Sequence, residues 1–293
     1  MVEGPAPLLI TGASRGIGAA TARLFAEKGH RVALLARSVA AIESLAEEIG
    51  GLAIPCDVAD ERAVRRSVNK AATKFGGIGL VINNAGTLEP AARILDTDPR
   101  DWTRNIEVNL FGSFYVLRHV VPLLPKGGVV INVSSGAAAS PLVGWSAYSA
   151  SKAGLSVLTR ILAIEESEGR GIRVCGFLPG LVDTEMQAFN RTNRINEVGD
   201  LKREVLRPAT EPAQIMYFLC GPEAADLNGQ IVNARDGAIR ARVGRAGVER
   251  RALSQLPLLA CCIISRSAVF LILKPRPLVN GGCSAPDQWI ARP

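Results

Sequence analysis

Tyr148 and Lys152 stand four residues apart in the Ser146–Glu168 stretch, whose helical period puts both side chains on one helix face. The pair suits proton transfer to a carbonyl oxygen. A phenol with an ordinary pKa of about 10 becomes a useful acid near neutrality when an adjacent ammonium stabilises its phenolate. Ser135, thirteen residues before Tyr148, follows the apolar run Val129–Val133 and offers a hydroxyl to hold the same oxygen. Ser134 is the less favoured neighbour. Taken alone, a Tyr-xxx-Lys pair is more often a plain surface pair, so its weight depends on its surroundings. Other catalytic options are few: His30 and His119 are the only histidines, and the six cysteines show no CxxC spacing. Neither a metal centre nor a dense disulfide framework is expected.

A second constellation lies near the start. The apolar run Leu8–Thr11 leads directly into Gly12-Ala13-Ser14-Arg15-Gly16-Ile17-Gly18, which opens an amphipathic stretch. Glycines here permit a sharp turn and let a pyrophosphate approach the helix amides, where the macrodipole favours negative charge. The spacing is GxxxGxG rather than GxGxxG, and its position at the first strand-to-helix junction is what supports phosphate binding. About 20 residues further on, where such a site selects its ribose partner, the second apolar run ends in Arg37 with no carboxylate. Arginine attracts a 2′-phosphate and a carboxylate would repel it. Arg15 is placed to reach the same phosphate from the other side, so NADP(H) is expected in preference to NAD(H). Asp57, before Val58, reads equally well as an acceptor for the adenine amine or as a cap on the next helix.

These residues need a scaffold that brings distant segments together. Short apolar runs at Leu8–Thr11, Arg31–Ala36, Gly51–Pro55, Leu80–Ile82, Val129–Val133, Arg173–Phe177 and Gln230–Asn233 alternate with helical stretches. Those are Gly16–Lys28, Val39–Glu48, Asp60–Lys74, Asp98–Leu123, Ser146–Glu168 and Glu211–Cys220. The alternation predicts a doubly wound α/β domain, a seven-stranded parallel sheet with helices on both faces. Asp183–Arg207 breaks the pattern and reads either as a lid over a substrate pocket or as a surface helix pair. After Asp236-Gly237 the alternation ends.

In this order the residues resemble the short-chain dehydrogenase/reductase family from about residue 7 to 238. The shared pattern is Thr11–Gly18, Asp57-Val58, Asn83-Asn84-Ala85-Gly86, Asn109, Ser135, Tyr148-xxx-Lys152, and Pro179-Gly180 with Val182 and Thr184. The resemblance implies a Rossmann-like fold and Tyr148 as general acid/base. It implies that Lys152 binds the nicotinamide ribose and lowers the tyrosine pKa, that Ser135 orients the carbonyl, and that Asn109 holds a water in the proton relay. It also places Asn84, Ala85 and Gly86 near the adenosine ribose, and Val182 and Thr184 against the carboxamide and phosphates. Segments 144–148, 163–166 and 179–187 are similar to the sepiapterin reductase and benzil reductase group. The family's glycine-rich end is altered here to Asp236-Gly237-Ala238.

The formal charge of +7 raises nucleic acid or an anionic membrane as partners until it is divided along the chain. Residues 243–293 supply +5 and residues 1–242 only +2, which argues against a nucleic-acid surface on the domain. Two parts are expected: a catalytic domain over 1–242 and a poorly packed extension over 243–293. Within the extension Leu256–Leu273 is long enough to span a membrane, but the central Arg266 opposes it. Met1–Pro7 lacks a basic n-region, so a cytoplasmic location is expected. The long apolar Asp98–Leu123 and Ser146–Glu168 helices, in the resembling family, build a homodimer or homotetramer. The leading expectation is an NADPH-dependent reductase of small ketones or diketones. The alternatives are a 3-oxoacyl-[acyl-carrier-protein] reductase and a nucleotide-binding regulatory protein without turnover, the latter disfavoured by the complete Asn109, Ser135, Tyr148 and Lys152 set.

Overall fold

A computed structural model describes residues 4–254, with side chains as far as residue 246. The strands are β1 (Leu8–Thr11), β2 (Val32–Ala36), β3 (Leu52–Pro55), β4 (Leu80–Asn83), β5 (Val129–Val133), β6 (Arg173–Leu178) and β7 (Ile231–Asn233). They form one parallel sheet in the order β3-β2-β1-β4-β5-β6-β7. Each expected strand is present within a residue or so. Val32–Ala36 is apolar and buried throughout, as parallel strands covered on both faces require, and Val129–Val133 is buried throughout with its one polar residue, Asn132, hydrogen-bonded to Asn83 and Thr159.

The helices are α1 (Gly16–Glu27), α2 (Val39–Ile49), α3 (Glu61–Phe75), α4 (Pro99–Ile106), α5 (Gly112–Val120), α6 (Ser146–Ser167), α7 (Glu185–Asn193), α8 (Thr210–Cys220) and α9 (Gly237–Ser254). Side-chain alternation along β1 divides the core into two layers. Leu8 and Ile10 pack with Phe25 of α1, Ile42 of α2, Met216 of α8 and Ile239 of α9. Leu9 packs on the other face with Val68 of α3 and Val116 of α5. The result is a Rossmann-like, doubly wound sheet whose direction of winding reverses between β1 and β4, opening a crevice at the carboxyl ends of the strands.

Three segments differ from expectation. Asp98–Leu123 is not one helix: α4 and α5 are separated by a π-helical turn, Glu107–Phe111, and a 3-10 turn follows at Val121–Leu123. The interruption has tertiary partners, since Asn109 in the π turn bonds the Thr87 backbone and Ser151. Asp183–Arg207 is not a helix pair but one helix, α7, followed by 3-10 turns at Glu197–Asp200 and Arg203–Val205. The chain after Gly237 continues as α9, where Ile239 and Ala246 are buried in the core and Arg242 bonds Asp226 and the Glu223 carbonyl. The expected boundary at residue 242 therefore falls within a helix, and the first compact unit runs from Met1 to Gly247. Leu256–Leu273 lies outside the described residues; among the described residues no helix is long and apolar enough to cross a membrane.

Candidate active site

The glycine turn, Arg37, Asp57-Val58, Asn84-Ala85-Gly86, Ser135 and Pro179-Gly180 follow the carboxyl ends of β1 to β6 in turn and so share one edge of the sheet, while Asn109 comes from the π turn and Tyr148 and Lys152 from α6. Gly12 to Gly18 link β1 to α1, with Gly12 and Gly16 in the left-handed region at φ 64° and 54°. Packing also requires these glycines. A Cβ on Gly12 would lie 2.7 Å from the Ala85 Cα, and one on Gly18 would lie 2.2 Å from the Gly12 carbonyl oxygen. Arg15 precedes α1 with no side-chain cap, leaving the first-turn amides of a helix dipole available to an anion. Ser14 and Ile17 lie within the same turn, and Ile17 packs partly into the core. The Asn84-Ala85-Gly86 segment after β4 holds this loop in place. Asn84 Nδ2 donates to the Thr11 and Gly12 carbonyls at 3.0 Å, and the Asn84 and Ala85 amides donate to Thr11 Oγ1.

Arg37 is exposed after β2 and close enough to Asp57 to help hold its carboxyl ionised. Asp57 is not the helix cap. Its Oδ1 accepts from the Ala59 amide at 3.0 Å and its Oδ2 from Arg104 Nη2 at 2.5 Å, while α3 is capped by Asp60, which accepts from the Ala63 amide. Val58 is buried against Gly112. Arg15 pairs with Glu185, the first residue of α7, so the two arginines expected at one phosphate have different neighbours. Pro179 and Gly180 follow β6, Gly180 at φ 77°. Val182 is buried and bridges to Arg207, and Thr184 reaches over the glycine loop to within contact distance of Gly16.

At the centre, Tyr148 and Lys152 are buried on α6, 7% and 4% exposed. Burial pushes the Tyr148 phenol up from its ordinary value, and a hydrogen bond with Ser135 opposes that rise. Burial also lowers Lys152 to about 8. Its Nζ donates to the Val133 carbonyl at 2.8 Å and stands 5.8 Å from the centroid of the Tyr148 ring. The expected lowering of the tyrosine by lysine is not what the environment produces here; desolvation dominates both groups. Asn109 is fully buried, with Oδ1 accepting from the Thr87 amide and Nδ2 donating to the Thr87 carbonyl, Asn105 and Ser151. Gly86 lies between Asn109 and Lys152: a Cβ there would sit 3.0 Å from Asn109 Oδ1 and 3.4 Å from Lys152 Nζ. Ser134 turns the other way, to the Lys152 carbonyl and Ser156.

The sequence reading missed the apolar residues around Tyr148. Leu88, Ala137, Trp145 and Tyr148 form a separate apolar cluster joined by Met186 and Phe189 of α7. Trp145 stands edge-on to Tyr148, at 5.8 Å and 81° between rings. Its signal was its place three residues before the tyrosine. Thr11, the acceptor for two amides of the Asn84 segment, likewise had its place in the glycine motif as a clue. The arrangement supplies a helix end open to an anion, a buried phenol, a hydroxyl beside it and a cluster of apolar side chains around the phenol.

Comparison with known proteins agrees with this geometry. Residues 7–195 match the family model for short chain dehydrogenases. Carbonyl reductase family member 4 of Danio rerio is 35% identical over 234 residues, covering 76% of this chain and 94% of the relative. A short chain dehydrogenase from Burkholderia cenocepacia, solved with NADP, is 31% identical with a TM-score of 0.70, covering 78% of this chain and 95% of its own. The 3-ketoacyl-(acyl-carrier-protein) reductase of Brucella melitensis, solved with NADH, is 29% identical with a TM-score of 0.71, covering 78% and 96%. The chain belongs to the short-chain dehydrogenase/reductase family and is, with it, an NAD(P)-dependent oxidoreductase acting on CH–OH and C=O groups.

Proposed function

We propose that the protein is an NADPH-dependent carbonyl reductase of apolar ketones or vicinal diketones, running in reverse on the secondary alcohols. The observation that carries this reading is the buried Tyr148 phenol, hydrogen-bonded to Ser135 and set among apolar side chains. The glycine turn fits a dinucleotide, since its uncapped helix amides and its lack of Cβ atoms both favour a pyrophosphate. Gly12, Ser14, Arg15, Gly16, Ile17 and Gly18 would hold that group, with Asn84, Ala85 and Gly86 beside the adenosine ribose. Asp57 and Val58 would take the adenine, and Pro179, Gly180, Val182 and Thr184 the nicotinamide end. Bound NADPH supplies the hydride.

Tyr148 donates the proton to the carbonyl oxygen, and burial keeps that proton on the phenol at neutral pH. Ser135 holds the same oxygen in line. Lys152 binds the nicotinamide ribose, and Asn109 fixes the π turn from which a water is held for proton return. Arg37 supports NADP(H) over NAD(H) by its charge at the ribose end. The apolar side chains of Trp145, Met186 and Phe189 clustered with Tyr148 favour bulky apolar groups. They support the narrower likeness to sepiapterin and benzil reductases.

Exposed Phe111 and Phe114 beside α5, with Val157, Ile161 and Ile164 on α6, support a homodimer or homotetramer. We place the catalytic domain in residues 1–242, completed by the α9 turns through Ala246, with the rest of 243–293 an appendage dispensable for turnover in a cytoplasmic enzyme. A carbonyl panel read by NADPH and NADH consumption, run on wild type and Tyr148→Phe, tests the function. Diketones and aryl ketones should be turned over with NADPH, and Tyr148→Phe should lose on the order of 10²–10⁴ in rate while still binding nucleotide. Preference for acyl-carrier thioesters, or an unaffected Tyr148→Phe, overturns the reading.

A further inference from the structure

Arg104 belongs to no motif. It lies on α4, and its guanidinium is shared between two carboxylates: Nη2 donates to Asp57 Oδ2 at 2.5 Å and Nη1 to Glu107 Oε2 at 3.3 Å. With the Ala59 amide on Oδ1, both oxygens of Asp57 have a donor from the chain itself, so the plane of the carboxylate is fixed. Each oxygen still has acceptor capacity, and the side chain remains about a third exposed, at 35%. Burial disfavours its ionisation, but the Ala59 amide, the Arg104 guanidinium and the field of Arg37 outweigh that and hold the carboxyl below its ordinary range.

We infer that Arg104 is a positioning and selectivity residue for the adenosine end of the cofactor. It orients Asp57 to accept from the adenine amine, and it compensates the Asp57 carboxylate that would otherwise weaken the pull of Arg37 on a 2′-phosphate. The inference rests on the cofactor reading above. Without Arg104, only the Ala59 amide on Oδ1 still orients Asp57, and the charge of Asp57 stands uncompensated in the field of Arg37. A ligand carrying an extra phosphate near Arg37 feels this more than one carrying a hydroxyl, because unit charges interact across the ~8 Å Debye length of physiological salt. Loss of Arg104 should therefore be felt more by NADPH than by NADH.

The test measures binding of NADPH and NADH by nucleotide fluorescence, with steady-state kinetics, for wild type, Arg104→Gln and Arg104→Lys. Arg104→Gln should weaken NADPH by about tenfold or more, the scale of one charge-assisted hydrogen bond, and weaken NADH clearly less. The kinetic loss should fall on the KM for cofactor rather than on kcat. Arg104→Lys, which restores the charge without the fork, should recover part of the NADPH affinity, and higher salt should narrow the gap. Wild-type-like binding by Arg104→Gln, or equal weakening of both nucleotides together with a lower Tm, overturns the inference while leaving the function standing. A wild type that binds neither nucleotide overturns the functional reading, and the inference falls with it.

Discussion

Lys152 stands 5.8 Å from the centroid of the Tyr148 ring, yet its Nζ spends its hydrogen bond on the Val133 backbone carbonyl, 2.8 Å away. Among the described residues no carboxylate pairs with the ammonium, and burial lowers it to about 8. The group is held ready for a ligand hydroxyl and is costly to bury without one.

That cost has a sign that can be measured. The folded pKa lies below the unfolded value of 10.5, so the unfolded chain binds more protons between the two, and stability rises with pH in that window. The penalty is fully present below about pH 8 and is relieved as the pH climbs. Paired melts of wild type and Lys152→Met isolate it, because other alkaline titrations are common to both. The stability difference should move in favour of wild type by about 2 kcal/mol between pH 7.5 and 9.5. A difference independent of pH would mean that Lys152 is not depressed.

Gly18 makes the second prediction. An added Cβ would meet the Gly12 carbonyl at 2.2 Å and Asn84 Nδ2 at 2.6 Å, and neither neighbour is free to move, because Asn84 bonds the Thr11 and Gly12 carbonyls. Gly18→Ala should cost about 1–3 kcal/mol by overpacking and lose most nucleotide affinity as the loop and the Asn84 segment are forced apart. Gly244→Ala is the control: nothing lies within 4 Å of its Cβ, and it sits in α9. There the change should raise stability by up to about 1 kcal/mol through helix propensity. Thermal melts with NADPH titration check both, and a Gly18→Ala protein that binds normally would refute the close-approach argument.

How far the sequence could be read follows from the range of each interaction. The strands were legible because a buried parallel strand is a local apolar run, as at Val32–Ala36. The Tyr148–Lys152 pair was legible because its geometry is set within one helical turn. The break at Glu107–Phe111 was not, because Asn109 takes its partners from Thr87 and Ser151, which no local pattern announces. Asp57 illustrates the same limit: both sequence readings were locally reasonable, but the neighbouring Asp60 took the cap and Arg104, 47 residues away, took the carboxylate. The apolar cluster around Trp145 draws on the segments at Leu88, Ala137 and Met186 and exists only once the fold has assembled them.

The last prediction separates the two arginines expected to read the 2′-phosphate. Arg37 is exposed at the end of β2, carries no resolved ion pair among the described residues, and acts on Asp57 only through its field. Arg15 is already paired with Glu185 of α7, so a phosphate must compete for it. Arg37→Asp both removes the attraction and adds a repulsion, while offering a 2′-hydroxyl an acceptor. The ratio of kcat/KM for NADPH over NADH should fall at least about tenfold, the equivalent of one charge-assisted contact. Arg15→Ala should change that ratio less, because its loss also frees Glu185 and acts on both nucleotides through the shared pyrophosphate. Steady-state kinetics with both nucleotides on a single ketone decides the matter. If Arg37→Asp keeps its preference and Arg15→Ala loses it, the phosphate is read from within the glycine loop, and α7 must release Arg15 before NADPH can bind.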